Sequence, residues 1–293
     1  MAFKKNNKGD IKLVQKNYEF FNTSTEEIIE EYKIPYRNII DFTNTSDGTK
    51  DLKNIFGEKK YFEYPKPIKL IEHFVDISLN ESDIILDFFS GSATTANAVM
   101  KLNSKKFKRN KFIMVQIPEE TGENSNAYED GYETICEIGK ERIRRAGDKI
   151  VEESGNKDLD IGFKVFKLDS SNLKKWDPDY NNVQQSLIID NIKEGRSNED
   201  LVYEIMLKSE YGIDLTFPIE EINNIYSVGF GALVFCLDNN ITREITGEII
   251  KLTKNASKSR VVFKDSGFKS DVDKTNIKEI LLRTNNIKEF ITI

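Results

Sequence analysis

Asp83-Ile84-Ile85-Leu86-Asp87-Phe88-Phe89 runs directly into Ser90-Gly91-Ser92-Ala93-Thr94-Thr95-Ala96, and the change of character between the two halves predicts a strand, a tight turn and a helix start. The first half is a short continuous apolar run, the pattern of a parallel strand buried on both faces. The second half is built of small residues, so a ligand can come close to the backbone. The helix that follows offers unpaired N–H groups and the positive end of its dipole. That geometry suits a nucleotide-like ligand. Plain packing of a strand against a helix accounts for the same residues, because many α/β folds carry a glycine turn here and the pattern GxGxxG is not met.

Upstream, Ile68, Ile71, Phe74 and Val75 follow Lys66-Pro67 at helical spacing, with proline where a helix start tolerates the missing N–H. Downstream, Ala93 to Leu102 reads as a helix, and Lys111 to Ile117 reads as a second buried strand ended by Pro118. Strand, turn, helix and strand make a βαβ unit. A long amphipathic helix is expected next, with Tyr132, Ile135, Ile138, Arg142, Ile143, Ala146 and Ile150 on one face, closed by Gly155 and Asn156. Beyond it we expect a strand over Phe163 to Leu168 and helices over Val183 to Ile192 and Glu199 to Lys208. Strand structure around Gly229 and Gly231, from Ile225 to Leu237, and a helix over Thr275 to Arg283 complete the pattern. Residues 1 to about 60 show no sustained period.

The chain has 293 residues, enough for about two domains at about 150 residues each. Hydrophobic residues make up 38% and charged residues 31%, which excludes wholesale disorder. Lys and Arg number 43 against 49 Asp and Glu, a net charge of −6, so bulk positive charge cannot hold nucleic acid and any DNA contact must be local. Two local clusters qualify: Lys101, Lys105, Lys106, Lys108, Arg109 and Lys111, and Lys140, Arg142, Arg144, Arg145 and Lys149. Phosphate contact is one reading of them. A solvated face paired with Glu137, Glu141 and Asp148 is the other.

Cys136 and Cys236 form no CxxC and His73 is the single histidine, so no zinc ribbon or finger and no histidine-based metal site is expected. Met1 to Lys12 is polar and no apolar run reaches about 18 residues, so the expectation is a cytoplasmic protein with reduced thiols and no membrane contact.

Taken in order, Lys66-Pro67 with Leu70, then Asp87 through Thr95, then Gln116 at the end of the second strand resemble the S-adenosyl-L-methionine-binding half of β-class DNA amino-methyltransferases. Phe112 to Glu119, Ile138 to Gly147, Phe163 to Leu168, Ser171 to Trp176, Val261 to Phe268 and Lys274-Thr275-Asn276 resemble, more narrowly, the modification subunit of type III restriction-modification systems. The resemblance covers roughly residues 62–293. It implies an α/β fold: an incomplete Rossmann-like methyltransferase sheet over residues 61–157 and a mixed α+β carboxyl-terminal domain over 158–293. Residues 1–60 are then the tail of a target-recognition region or a linker.

Such subunits methylate adenine at N6 in a short asymmetric DNA site and read that site for a partner restriction subunit, a helicase and nuclease. Carried over by position, Phe89, Ser90, Gly91, Ser92, Ala93 and Thr94 surround the methionine end of the cofactor, with Phe88 and Thr95 beside them. Lys66, Pro67 and Leu70 match KPxxL, and Asp87 is the leading acid of its motif. Gln116 stands where relatives carry an acid that accepts bonds from the ribose hydroxyls, which an amide can also do, without charge assistance. Ala93 replaces the usual glycine and lacks its freedom at positive φ.

Methyl transfer to adenine requires the base flipped out and held by a [D/N/S]PP[Y/F/W] loop, which in this class lies upstream of KPxxL. The sequence contains no such string. Its nearest match is Asp177-Pro178-Asp179-Tyr180, preceded by residues too polar for the strand that would deliver it, and a turn is the expectation there; Asp177, Pro178 and Tyr180 remain the catalytic alternative. The chain thus reads as the carboxyl-terminal half of a modification methyltransferase, from a truncated or split gene or a designed fragment. Catalysis would need an amino-terminal half or a second modification chain, docked on apolar surface that the incomplete sheet leaves uncovered. A remnant or assembly module without catalysis is the alternative.

Overall fold

The computed structural model describes residues 39–174, 191–208 and 214–293, with the backbone of four short strands before them. Two compact units divide it, residues 1–165 and 166–293. The backbone of the first unit pairs β1 (Ala2–Lys5) antiparallel with β2 (Ile11–Val14) and β3 (Phe21–Asn22) antiparallel with β4 (Glu27–Ile28). Helix α1 (Thr45–Phe56) then starts at a capping box, Asn44 and Asp47 each accepting from the other's end of the first turn, and buries Leu52 and Phe56.

Helix α2 (Ile68–Ser78) begins at Pro67 as the sequence predicts. Gly48 in α1 lets the two helices meet, because a Cβ there would lie 2.0 Å from the Pro65 carbonyl oxygen. Strand β5 (Ile84–Asp87) pairs in parallel with β6 (Lys111–Met114) through the crossover helix α3 (Thr94–Lys106). After the single turn α4 (Asn126–Glu129), the long α5 (Ile135–Ser154) starts at Thr134 and stops at Gly155, whose φ of +68° closes the helix.

Among the described residues the two strands are covered on one face only, which corrects the expectation of burial on both. Successive side chains of a strand point to opposite faces. Ile85 packs with Val75, Val99, Leu102 and Phe112. Phe112 and Met114 pack against Ala96, Met100, Ile143 and Ala146. On the other face Ile84, Leu86 and Ile113 are 58, 56 and 50% exposed, and Val115 and Ile117 continue the open strip.

The second unit is a five-stranded sheet in the order β11-β10-β9-β8-β7. Strands β7 (Ile219–Ile222), β8 (Ile225–Val228) and β9 (Leu233–Cys236) form an antiparallel meander. Strands β9, β10 (Ser259–Phe263) and β11 (Ile287–Thr292) are parallel, linked through α7 (Ile245–Thr253) and α8 (Asp271–Leu282). Alternate residues of β9 and β10 build two cores. Val234, Cys236, Val261 and Phe263 face Ile249, Ile277 and Leu281 of α7 and α8. Leu233, Phe235 and Val262 face Leu201, Val202 and Ile205 of α6 (Asn198–Leu207). The β8–β9 turn carries Gly231 at φ +88°, where a Cβ would lie 2.3 Å from the Leu252 carbonyl oxygen, so the turn can rest directly on α7.

Phe163 to Leu168 does not form the expected strand. Phe163 packs beside Ile161 on the α3–α5 core, while Val165, Phe166 and Leu168 are exposed and no strand among the described residues pairs with them. The helix expected from Val183 falls, but for Asn191 and Ile192, outside the described residues. Among the described residues no helix is long and apolar enough to cross a membrane.

Candidate functional site

The turn expected to approach a ligand lies where β5 ends. The β5–β6 ladder continues past the strands, Val115 N–H donating to the Asp87 carbonyl at 2.8 Å and Ser90 N–H to the Val115 carbonyl at 3.1 Å. The Asp87 carboxylate then folds the chain back on itself. Its Oδ1 accepts from Phe89 N–H at 3.2 Å and its Oδ2 from Thr95 Oγ1 at 2.6 Å, tying strand end to helix start. Gln116 completes the frame, its Oε1 accepting from Gly91 N–H at 2.8 Å and its Nε2 donating to the Ile117 carbonyl at 3.1 Å.

Gly91 and Ala93 both take left-handed backbone, at φ +51° and +58°. A Cβ on Gly91 would lie 3.3 Å from the Phe62 ring, so the turn rests on that ring. Ala93 therefore adopts the conformation that a glycine would hold freely, at about 1 kcal/mol. Its burial against the α5 core offsets that strain. No side chain caps α3, so the first N–H groups of that helix are left to the turn and to whatever binds there.

Beneath the turn lies Arg142, 0% exposed and among the largest fully buried side chains of the chain. Its Nη1 donates to Ser92 Oγ at 2.8 Å, to the Ser92 carbonyl at 3.2 Å and to Thr94 Oγ1 at 2.7 Å. Nε and Nη2 have no partner among the described residues. Burial pulls the guanidinium down to about 10 and the charge of Asp51 opposes the shift, so the group stays a cation at neutral pH. Asp51 itself accepts from Ile68 N–H at 2.8 Å, linking α1 to the start of α2.

The expected site residues thus fall into distinct settings. Ser92, Ala93, Thr94 and Thr95 are buried in the frame, and Ser90, Gly91, Asp87 and Gln116 line it half-buried. Phe88 and Phe89 stand exposed with their rings 5.1 Å apart, beside an apolar groove between α2 and β5 that Ile71, Phe74 and Leu86 also line. Pro67 is buried, Leu70 half-buried and Lys66 exposed. Asp177, Pro178 and Tyr180 lie outside the described residues. Spacing places Arg142 on the inner stripe of the long helix, one helical step from Ile138; counting it with the surface cations is corrected by its burial.

The remaining basic side chains are largely engaged in ion pairs. Lys101 and Lys105 meet Glu72, and Lys106 and Lys108 meet Asp76. Lys140 meets Glu137, Arg144 and Arg145 meet Glu141, and Lys149 meets Glu153. The solvated, paired face is therefore the better account of both clusters.

Residues 1–127 match the DNA methylase family of N6 and N4 methyltransferases. The chain is 44% identical over 123 residues to the type III restriction-modification enzyme EcoPI Mod subunit of Escherichia phage P1, covering 42% of this chain and 19% of that one. It is 36% identical over 125 residues to the StyLTI Mod subunit of Salmonella typhimurium, covering 43% and 19%, and 36% identical over 163 residues to the EcoP15I Mod subunit of Escherichia coli, covering 54% and 24%. The matched part thus spans about a fifth to a quarter of the length of these curated relatives. Sequence match and turn geometry coincide on the same stretch: residues 1–127 match the DNA methylase family and include the turn after β5, and the chain is similar over part of its length to the modification subunits of type III restriction-modification systems.

Proposed function

We propose that this chain carries the cofactor-binding part of a site-specific DNA adenine-N6 methyltransferase of a type III restriction-modification system, acting in the cytoplasm with S-adenosyl-L-methionine as cofactor. The observation that carries the reading is the turn after β5, held open by Asp87 and Gln116 and facing an α-helix start that no side chain caps. A carboxylate and polar groups fit such a place, because free N–H groups and the helix dipole both favour an anion. When bound, the cofactor supplies a methyl group on a positively charged sulfur.

The residues of the chain do the holding. Phe89, Ser90, Gly91, Ser92, Ala93 and Thr94 form the seat of the methionine end, with Phe88, Asp87 and Thr95 bracing it, and Gln116 faces the ribose. Lys66, Pro67 and Leu70 close the side beside α2. Residues 61–157 form this cofactor-binding core, and DNA is the substrate. A DPPY-type loop for the adenine comes from an amino-terminal half or a second modification chain. That partner completes the sheet over the uncovered face of Ile84, Leu86 and Ile113. A restriction subunit is the further partner.

Calorimetric titration with S-adenosylhomocysteine tests the proposal, with Asp87→Ala as control. Micromolar binding that the control abolishes supports it, and absence of binding by the native chain counts against it. One observation favours a second reading, an assembly module that binds no cofactor: Gln116 Oε1 is already engaged by Gly91 N–H. In that case Gly91→Arg leaves partner binding intact and there is no cofactor affinity to lose.

A further inference from the structure

Among the described residues Arg142 is a buried cation without an ion pair. Its Nη1 is spent on three oxygens of Ser92 and Thr94, and its Nε and Nη2 meet no acceptor among the described residues. The carboxylate whose charge it feels, Asp51, serves Ile68 N–H. Burying a guanidinium without a counter-charge is expensive, and a methionine of similar length would fill the same space without that expense. Structural need alone therefore does not account for the charge.

The position of the charge does. All three oxygens that Arg142 grips belong to the last residues of the turn and the first residue of α3. Guanidinium charge and helix dipole therefore add at one point, the start of a 13-residue helix with no side-chain cap. Two independent sources of positive potential converge on the seat of the ligand from below and from behind. A neutral or cationic group gains nothing from them, whereas an anion gains from both.

We infer that Arg142 is a positioning residue that selects a carboxylate-bearing ligand, acting through Ser92 and Thr94 rather than by touching the ligand. The inference rests on the cofactor reading above and deepens it. Arg142 distinguishes the amino-acid end of the cofactor from nucleosides that lack it, so it sets which adenosine derivatives the turn accepts. Arg142→Met removes the charge and keeps the bulk. Arg142→Lys keeps a charge but replaces the guanidinium, whose Nη1 alone bonds Ser92 and Thr94, with an ammonium on a different stem.

The experiment compares S-adenosylhomocysteine with 5′-methylthioadenosine, which has the same nucleoside and thioether but lacks the amino-acid end, carboxylate and ammonium together, by calorimetry on the native chain and both variants. Melting by circular dichroism checks folding. The native chain should bind S-adenosylhomocysteine at least about tenfold tighter than 5′-methylthioadenosine. Arg142→Met should erase that preference by weakening the first ligand alone, and Arg142→Lys should restore part of it. Equal affinities in the native chain overturn the inference even where no variant folds. So does a variant that weakens both ligands alike, which marks a merely structural role. If the native chain binds neither ligand, the cofactor reading falls and the inference falls with it.

Discussion

Gln116 Oε1 accepts the Gly91 N–H at 2.8 Å, so the end of one strand latches the turn that leaves its neighbour. An amide can do this while its second lone pair stays open to a hydroxyl. Gln116→Ala leaves a half-buried N–H unmet, and we expect a loss of about 1 kcal/mol in stability. Gln116→Glu keeps the latch and adds charge assistance toward a ribose, so affinity for S-adenosylhomocysteine should rise severalfold. Denaturant melts and calorimetry read the two effects separately, and a fall in affinity for Gln116→Glu would refute the assigned role.

Ala93 stands in left-handed backbone with its methyl group buried. Ala93→Gly relieves about 1 kcal/mol of strain and removes about 0.8 kcal/mol of methyl burial, so stability should change little. Ala93→Val adds branching where φ is positive and bulk where Gly139 lies close, and should lower stability by about 2 kcal/mol or more. Urea midpoints of the three proteins provide the comparison.

The open face of β5 and β6 gives a prediction about association rather than folding. Leu86 and Ile113 are half-exposed partners in register, so Leu86→Lys with Ile113→Glu should leave the melting temperature within a few degrees of the parent. The same pair should lose binding to a co-expressed amino-terminal modification fragment. Retained binding, measured by co-purification and light scattering, would show that this face is not the docking surface.

Cys236 is fully buried on the central strand of the second unit, and burial pushes its thiol up to about 12. In the unfolded chain the thiol ionises near its usual value of about 8.5. Folded and unfolded forms carry the same proton below that value, so the thiol leaves stability unchanged there. As pH rises from about 9 toward 12 the unfolded form alone loses its proton, and stability should fall across that window. Cys236→Ala should flatten the slope. In the native protein at pH 8, Cys136, half-buried with burial pushing its thiol up, should react slowly with a disulfide reagent, while Cys236 should react only on unfolding.

The βαβ unit was legible because its signals are local. The apolar run before Ser90, the glycine at 91, the proline at 67 and the stop at Gly155 each act within a few residues of themselves. What the sequence hid depends on distant contacts. Gly48 looks like a weak point in α1 until Pro65 is brought against it. Arg142 can be counted as a surface cation or as part of an inner stripe, and only its three bonds across fifty residues of chain decide between them. Phe163 to Leu168 has the apolar content of a strand, but a strand needs a neighbour and none comes alongside among the described residues. One-sided burial of β5 and β6 was illegible for the same reason, since a run of apolar residues states what a strand can bury and not what is present to bury it.

The bonds from Arg142 to Ser92 and Thr94 also bear on the order in which the first unit assembles. Docking of α5 strips water from a guanidinium, and among the described residues the oxygens that replace that water are those of a correctly wound turn. Until the turn is wound the docked helix is penalised, and until the helix docks the turn lacks its underside. Neither step gains much alone, so turn and helix should open and close as one cooperative unit, with the amides of Gly91 to Thr94 exchanging hydrogen at the same rate as those in the middle of α5. A turn is usually among the first places to fray, and here it is bolted to the longest described helix of its unit.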